Sequence, residues 1–322
     1  MKWHAAKAFL QVIFLNKKIP LLIGWSLTNR CNLRCRYCDS WEYPERELQT
    51  RELFRIIDQV CALGCRRISY TGGEPLLRED IGEIVRYSKR KGIYTGINSN
   101  GLLVKEKIDK IKDVDLLMLS LDGEQKTHDY LRGDGSYKKT IEAMELGKKR
   151  NIKIMVTSVL TKDNLESIDF ILEKAQFFKF YVYFQPVTNL PLGMQNIQKL
   201  LPLQNEFRQT IYKLLAYKKR GNDFIANSRV SLMHLLNWPS HKNMICNAGR
   251  IYCAIDPSGY LYACSNLRNN VQGENILTKG FKKAFFSLEK IFCDNCWCAS
   301  TLEMNCLFSF NINTVLNVLK VS

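Results

Sequence analysis

The sequence is short of several features that define whole classes of protein. No apolar run approaches the roughly 18 residues that a membrane-spanning helix requires. The chain is too long for a small secreted disulfide protein, and it has no convincing signal-peptide cleavage site. It also lacks the alternating basic and aromatic residues by which many proteins bind single-stranded nucleic acid. We therefore expect a cytoplasmic protein with no nucleic-acid partner.

Acidic residues are missing from the first 38 positions, which hold seven Lys or Arg residues. Within this stretch, residues 5–15 are mostly apolar and predict a short helix, which is followed by Lys17 and Lys18 and ends before Pro20. Such a helix packs on the rest of the fold, or it lies at a membrane surface and contacts anionic lipid. We therefore allow for peripheral membrane association of a cytoplasmic protein.

The composition is that of a globular chain with an unusual number of cysteines. The 322 residues are 46% hydrophobic and 24% charged, with a formal net charge of +16, which predicts one substantial core and a smaller second unit. Nine of the twelve cysteines fall into two groups near the ends of the chain. This grouping favours metal binding in a reducing compartment.

The first cysteine group is one short loop, in which Cys31, Cys35 and Cys38 follow an apolar strand predicted over residues 21–27. Three thiolates on a tight loop can converge on one metal centre. A 4Fe–4S cluster ordinarily takes four cysteines, so three would leave one iron open to another ligand. A zinc knuckle is the alternative for this spacing.

A second motif ends the next predicted strand, where residues 68–71 run into Gly72-Gly73-Glu74-Pro75. Two adjacent glycines allow the backbone to approach a ligand closely, and the exposed amides of such a turn can bind polar groups. An ordinary strand-to-helix turn is the alternative for this motif taken alone.

Strands and helices alternate over the first 185 residues, which predicts a parallel, right-handed β/α array. Polar side chains gather where the strands end, the edge at which barrel active sites lie. A polar loop is predicted around His128 and Arg132. Strands are predicted at residues 21–27, 68–71, 93–98, 116–121, 153–160 and 179–185, and helices at residues 47–63, 80–91, 104–111, 137–150, 165–175 and 204–220.

The cysteine spacing, with the aromatic Tyr37 before the last cysteine, resembles the signature of the radical S-adenosylmethionine (SAM) superfamily. The resemblance implies a partial (β/α)6 TIM-like barrel. It also implies that Cys31, Cys35 and Cys38 bind a 4Fe–4S cluster whose open iron is chelated by SAM. Reductive cleavage of SAM then forms a 5′-deoxyadenosyl radical, which abstracts a substrate hydrogen.

The same resemblance implies which residues contact SAM. Gly72, Gly73 and Glu74 match the GGE segment that binds the methionine amine. No GxIxGxxE adenine motif occurs around residues 154–160, so Tyr37 is the adenine contact that we place. The other expected contacts are with the SAM ribose for Ser99 and Asn100, with polar groups of SAM for Ser120 and Asp122, and with the SAM carboxylate for Arg132. A turn or helix cap is the alternative for Asn100 and Asp122, and a surface ion pair for Arg132.

The second cysteine group surrounds a predicted hairpin, whose strands at residues 251–255 and 260–263 flank a turn at residues 256–259. This arrangement resembles the twitch domain of radical SAM enzymes, a shortened SPASM domain. The resemblance implies a small α+β unit with one auxiliary 4Fe–4S cluster for electron transfer, and a structural zinc site is the alternative. The implied ligands are Cys246, Cys264, Cys293 and Cys296, while Cys298 and Cys306 do not fit a second auxiliary cluster.

We therefore expect an N-terminal helix over residues 1–20, a radical SAM partial barrel over 21–243 and an auxiliary-cluster unit over 244–322. The resemblance implies a reduced electron donor such as flavodoxin or ferredoxin. The substrate is expected to be a small molecule, a sugar or a lipid precursor, with a peptide- or protein-modifying maturase as the alternative. A zinc-dependent nucleic-acid-binding protein is the remote alternative. The sequence identifies neither the abstracted hydrogen nor a catalytic acid or base.

Overall fold

The structure is a computed structural model that describes residues 11, 12, 14, 15, 17–188, 197–240, 244–268, 271–289, 293 and 296–309. Its centre is a nine-stranded sheet with the order β6-β5-β4-β3-β2-β1-β7-β8-β9. Neighbouring strands from β6 through β7 are parallel, and β8 and β9 are antiparallel to their neighbours. The strands are β1 (Leu22–Thr28), β2 (Arg67–Gly72), β3 (Tyr94–Ser99), β4 (Leu116–Ser120), β5 (Ile154–Leu160), β6 (Tyr181–Pro186), β7 (Tyr252–Ile255), β8 (Tyr260–Tyr262) and β9 (Glu274–Asn275).

Helices cover the outer face of this sheet, as a right-handed β/α array requires. The described helices are α1 (Thr50–Ala62), α2 (Ile81–Arg90), α3 (Val104–Lys107), α4 (Gln125–Arg132), α5 (Ser136–Lys149), α6 (Ile168–Phe178), α7 (Gln204–Lys219), α8 (Arg229–Leu235), α9 (Ile276–Lys279), α10 (Phe281–Ser287) and α11 (Ala299–Phe308). In α1, a capping box between Gln49 and Glu52 satisfies the first turn. Its buried side chains recur at helical spacing and pack into the main core.

The strands of the array have two different faces. In β1, Ile23, Trp25 and Leu27 are buried under the helices, whereas the alternate residues Gly24 and Ser26 line a central cavity. Side chains on a strand alternate between faces, so the strands enclose a space with a partly polar wall. The six parallel strands β1–β6 thus form the expected partial barrel.

One sequence expectation is wrong for the segment after β4. The predicted polar loop around His128 and Arg132 is the helix α4, in which His128 and Leu131 are buried one turn apart. Gly133 ends the helix with a φ of 127°, in the left-handed region that favours glycine. So few apolar residues occur in this segment that its sequence shows no helical periodicity.

The C-terminal unit continues the barrel sheet. β7 pairs in parallel with β1, from Leu22 opposite Tyr252 to Trp25 opposite Ile255. Helix α11 contacts β6 and α8, while its end at Phe308 packs with Tyr252 and Leu22. The helix therefore fills the space between β6 and β7. Strand pairing crosses the expected boundary at residues 243 and 244, and the division into domains stays a prediction.

The predicted N-terminal helix lies mainly outside the described residues, as do Lys2 and Lys7. Of its described part, Val12 is buried against the C-terminal unit, and Phe14 is 75% exposed. Lys18 donates hydrogen bonds to the carbonyls of Phe286 (3.3 Å) and Leu288 (2.9 Å). The ammonium group of Lys18 is therefore held by the protein. No helix in the described part of the chain is long and apolar enough to cross a membrane.

Candidate functional site

The cysteine loop leaves the C-terminal end of β1. All three of its thiols are partly exposed. Burial, with a smaller contribution from the nearby Cys38, raises the pKa of Cys31 and raises that of Cys35 to about 12. The negative charge of each thiolate therefore disfavours that of its neighbours, and the three thiols resist simultaneous ionisation. A bound metal cluster would remove that penalty because its positive charge stabilises the thiolates, so the donor set fits such a cluster.

A buried polar network anchors this loop to the barrel. The hydroxyl of Tyr37 donates to Oδ2 of Asp122 at 2.5 Å, and Nε of Arg132 donates to the same oxygen at 2.5 Å. The backbone N–H of Val159 donates to Oδ1 at 2.9 Å. Burial alone would raise the pKa of Asp122, but the Arg132 guanidinium outweighs burial and holds it below the ordinary value. The carboxylate is therefore ionised and joins the cysteine loop to α4 and β5.

Tyr37 and Arg132 also contact each other directly, since the guanidinium lies 5.3 Å from the centre of the tyrosine ring. Both side chains are almost completely buried in the described structure. The expected contacts of Tyr37 with adenine and of Arg132 with the SAM carboxylate stay predictions.

Gly72 and Gly73 are placed where a side chain would collide with the start of the cysteine loop. A Cβ on Gly72 would lie 2.1 Å from the carbonyl oxygen of Thr28, and one on Gly73 would lie 2.2 Å from that of Arg30. The N–H of Gly73 donates to the Thr28 carbonyl at 2.7 Å. The two glycines therefore allow β2 to lie directly against the segment that begins the loop, and their contact with SAM stays a prediction.

Glu74 is fully buried and joins the ends of β2 and β3. Its carboxylate accepts hydrogen bonds from the N–H of Leu76 (3.0 Å), the hydroxyl of Ser99 (3.0 Å) and the N–H of Asn100 (2.8 Å). Burial raises its pKa to about 7, although the three hydrogen bonds oppose that shift. The Ser99 side chain points to Glu74, away from the barrel cavity. The SAM contacts predicted for Glu74 and Ser99 therefore stay predictions.

Asn100 and Ser120 lie nearer to the open edge of the barrel. The side-chain amide of Asn100 donates to Asn32 at 2.8 Å and lies 3.9 Å from the Cys31 sulfur. Ser120 is the last residue of β4 and shares its face with Met118, which lines the cavity. The structure thus brings both residues to the side of the barrel that carries the cysteine loop.

The barrel encloses a cavity of about 440 Å³. Its wall combines alternate residues of the strands with side chains of α11, including Thr301 and Glu303. A second, smaller cavity of about 20 Å³ lies beside it, and the two share Tyr252, Cys264 and Thr301. The two spaces are therefore adjacent, separated by few side chains.

All four cysteines predicted for the auxiliary site line the smaller cavity: Cys246, Cys264, Cys293 and Cys296. Burial, together with the smaller effect of neighbouring cysteines, raises the pKa of Cys264 and of Cys296 to about 12. The side-chain amide of Asn305 on α11 lies 3.4 Å from the Cys296 sulfur, and its oxygen accepts from the N–H of Asn247 at 2.9 Å. Helix α11 therefore closes this thiol-lined space.

A comparison with protein families concerns the part of the chain that carries the first cysteine loop. The family model described as the radical SAM superfamily matches residues 25–175, from β1 to α6. The chain belongs to this superfamily. Members of the radical SAM superfamily use a 4Fe–4S cluster and SAM, which agrees with the three free cysteines of this loop.

Curated relatives include radical SAM proteins with different printed activities. The AdoMet-dependent heme synthase of Methanosarcina barkeri is 36% identical over 165 residues, which cover 49% of this chain and 47% of that protein. The mycofactocin maturase MftC of Mycolicibacterium smegmatis is 28% identical over 272 residues, which cover 81% of this chain and 68% of that protein. The chain thus spans about half the length of the heme synthase.

Solved structures confirm the fold class. Streptococcus suis SuiB bound to the precursor peptide SuiA superposes with a TM-score of 0.71, at 18% identity, over 89% of this chain and 68% of that one. At this level of identity the likeness concerns the fold alone. The expected partial (β/α)6 barrel is confirmed by the six parallel strands and by this likeness.

The sequence alone assigns no role to several residues that shape the radical SAM domain. Asn164 donates from its amide to the carbonyls of Asp122 (2.8 Å) and Val159 (2.9 Å). His128 accepts from the N–H of Asp122 at 3.2 Å, and burial lowers its pKa to about 4. Neither residue belongs to a recognisable motif. The position of Arg67 on the barrel wall could have been predicted. Arg67, Ser69 and Thr71 are polar residues at alternate positions of a central strand, and such a pattern indicates a polar face.

Proposed function

We propose that the chain is a radical SAM enzyme that cleaves SAM reductively and abstracts a hydrogen atom from a substrate in the barrel cavity. The observation that carries the proposal is the cysteine loop, whose three partly exposed thiols follow the C-terminal end of β1. That edge is where barrel enzymes place their active sites. Cys31, Cys35 and Cys38 would hold the cluster and leave one iron for SAM.

When bound, the cluster and SAM together supply a 5′-deoxyadenosyl radical that removes a substrate hydrogen. The chain's own residues position these groups. Asp122 fixes the cysteine loop through Tyr37 and Arg132, and Glu74 fixes the β2 and β3 ends against each other. The side-chain amide of Asn100 donates to Asn32 in the cysteine loop and lies beside the Cys31 sulfur. From this position it would be able to contact a polar group of SAM.

We also propose that Cys246, Cys264, Cys293 and Cys296 bind an auxiliary 4Fe–4S cluster. Among the described residues, no three Cys, His, Asp or Glu side chains converge closely enough to hold a single metal ion. All four thiols line one small cavity, as the ligands of a single cluster would. The shared wall of the two cavities favours electron transfer between substrate and auxiliary cluster.

For the substrate we propose a small molecule, a sugar or a lipid precursor. A cavity of about 440 Å³ falls within the usual range for small-molecule sites. The named activity of the heme synthase relative supports this class. A peptide-modifying maturase is the second candidate, which the mycofactocin maturase and the SuiB fold favour.

We propose a reduced flavodoxin or ferredoxin as the electron donor. Two arginines of the cysteine loop stack on aromatic rings beside it: Arg34 lies 4.1 Å from the Trp41 ring centre and Arg36 lies 4.0 Å from that of Tyr130. Such a basic, aromatic surface next to the cluster site complements the acidic surface of a small electron carrier.

The experiment is anaerobic reconstitution with iron and sulfide, followed by reduction with dithionite in the presence of SAM. Wild-type protein should form 5′-deoxyadenosine, slowly even without substrate, and Cys35→Ala should abolish the product. Cys61→Ala is the matched control, because Cys61 lies on α1 outside both cysteine groups. Product formation by Cys35→Ala, or none by wild type, would contradict the proposal.

A further inference from the structure

Two buried polar side chains lie among the thiols of the proposed auxiliary site. Tyr252, the first residue of β7, and Asn305, on α11, both line the smaller cavity, and both are almost completely buried. A buried hydroxyl and a buried amide need hydrogen-bond partners within the protein. The partners of these two groups therefore indicate what the pair does.

The orientation of the Asn305 amide is fixed by the main chain. Its Oδ1 accepts from the N–H of Asn247 at 2.9 Å, a bond that the amide nitrogen could not accept. The Nδ2 is therefore the atom that lies 3.4 Å from the Cys296 sulfur and 3.3 Å from the hydroxyl oxygen of Tyr252. Both protons of this amide group are thus assigned, one to a proposed cluster ligand and one to Tyr252.

The hydroxyl of Tyr252 accepts from Asn305 and has one proton of its own to donate. Its oxygen lies 3.7 Å from the Cys246 sulfur and 3.4 Å from Oδ1 of Asn305, which already accepts from Asn247. When Cys246 binds iron as a thiolate, it becomes the charged acceptor of the two, and hydrogen bonds to charged acceptors are the stronger ones. The proton of Tyr252 should therefore point to Cys246 in the loaded protein.

A third thiol of the site has a main-chain donor, because the N–H of Asn266 hydrogen-bonds to Cys264. Three of the four proposed ligands thus have a donor beside the sulfur. Such bonds stabilise negative charge on sulfur, and a reduced iron–sulfur cluster carries more negative charge than an oxidised one. Hydrogen bonds to the sulfur atoms are accordingly among the factors that set the reduction potential of a cluster.

Tyr252 also connects this site with the substrate side of the molecule. It lines the barrel cavity as well as the thiol-lined one, and only Cys264 and Thr301 share that property among the described residues. The hydroxyl that lies beside Cys246 is therefore carried by a side chain of the wall between the two cavities.

We infer that Tyr252 and Asn305 raise the reduction potential of the auxiliary cluster by donating hydrogen bonds to Cys246 and Cys296. The inference rests on the auxiliary cluster of the proposed function. It gives the proposed electron transfer a direction, from the barrel cavity to the auxiliary cluster, because a higher potential favours the reduced form of that cluster. The electron that a substrate radical gives up would then be taken up by the oxidised auxiliary cluster.

The test is an anaerobic redox titration of the full chain carrying Cys31→Ala, Cys35→Ala and Cys38→Ala, so that the auxiliary cluster is the one observed. Electron paramagnetic resonance of the reduced cluster gives the midpoint potential. Adding Tyr252→Phe should lower the equilibrium constant for reduction by about tenfold, equivalent to a potential lower by about 59 mV for one electron. Asn305→Asp should lower the potential at least as much. It keeps an oxygen to accept from Asn247 and replaces the donor beside Cys296 with an acceptor.

Tyr262→Phe is the matched control, because it removes another buried hydroxyl of the same hairpin. That hydroxyl donates to Asp256 at 3.3 Å, and Tyr262 lines neither of the two described cavities, so the potential should not change. Iron analysis should give about four irons in every variant.

Four irons with an unchanged or raised potential in Tyr252→Phe would overturn the inference and leave the auxiliary cluster in place. Loss of iron from both Tyr252→Phe and Asn305→Asp would also overturn it, since the pair would then serve only to hold the site together. Absence of iron from the parent triple variant would instead refute the auxiliary cluster itself, and the inference with it. The iron content therefore distinguishes failure of the inference from failure of the proposed function.

Discussion

At the scale of single residues, the most connected side chain beside the cysteine loop is Asp122. It is fully buried and accepts from Tyr37, from Arg132 and from the Val159 backbone. Burial alone would lower the pKa of Arg132, yet the Asp122 carboxylate raises it above the ordinary value. Each partner of this pair is therefore kept charged mainly by the other.

We predict that Asp122→Asn lowers the free energy of unfolding by about 3 kcal/mol, because it leaves the Arg132 charge buried without its counter-ion. The pKa of Asp122 is depressed in the folded state, so its contribution is present above the unfolded pKa and is lost only in strong acid. The loss in Asp122→Asn should therefore be equal at pH 6 and pH 8, measured by urea unfolding. Asp58→Asn, which breaks an exposed pair with Lys91, should cost under about 1 kcal/mol. Equal stability of the two variants would rule out this role for Asp122.

At the scale of elements, α11 connects the two cavities. It contributes Thr301 to both, Glu303 to the barrel cavity, and Asn305 to the thiol-lined one. Asn305 also accepts from the N–H of Asn247, which fixes the position of the chain beside Cys246. One helix therefore shapes the wall of the proposed substrate site and the roof of the proposed auxiliary site.

We predict that reconstituted wild type holds about eight irons, in two four-iron clusters. Cys264→Ala should reduce this to about four, and the combined replacement of Cys31, Cys35 and Cys38 by Ala should also leave about four. Iron and acid-labile sulfide analysis checks both, with Cys61→Ala as the variant that keeps the full content. Zinc in place of iron, or unchanged iron in Cys264→Ala, would refute the auxiliary cluster.

Local sequence patterns predicted most of the barrel but not how its parts meet. The strand expected over residues 116–121 is found at Leu116–Ser120, since an unbroken apolar run carries its own signal. Helix α4 gave no such signal, because its burial depends on contacts such as that of His128 with Asp122. The pairing of β7 with β1 and the placement of α11 depend on residues more than 200 positions apart, which no local pattern encodes.

In the candidate site, too, the sequence predicts some features and not others. The spacing of the three cysteines and the two glycines predicts the cluster loop, because few other chemistries require those residue types so close together. The direction in which each polar side chain points was not predictable. Ser99 and Asn98 are neighbours on β3, and alternation sends Ser99 to Glu74 and Asn98 into the cavity.

At the scale of the whole molecule, positive charge is the dominant property. The net charge is +16, and the first 38 residues contribute seven positive charges and no negative one. Lys18 is held by main-chain carbonyls at the end of α10, so it adds little to the charge that a surface partner would meet. Beside it, the apolar Phe14 and Leu15 are 75% and 62% exposed.

We predict reversible binding to anionic vesicles through this N-terminal segment, where apolar burial and basic residues act together. Sedimentation should show wild-type protein on anionic vesicles at low salt, release at high salt, and no binding to neutral vesicles. The double variant Phe14→Ser with Leu15→Ser should bind several-fold more weakly, since it removes two exposed apolar side chains. If wild type ignores anionic vesicles at low salt, the segment serves only to pack on the fold.

The pairing of β7 with β1 has a consequence for building chimeras between relatives. A C-terminal unit exchanged at residues 243 and 244 would separate β7 from the strand that carries the cysteine loop. The exposed edge of β1 would then present unpaired N–H and C=O groups, a template for aggregation. A functional chimera therefore needs a donor hairpin whose first strand can pair with β1 of the recipient. The two units meet along this strand pair and not only through the chain that connects them.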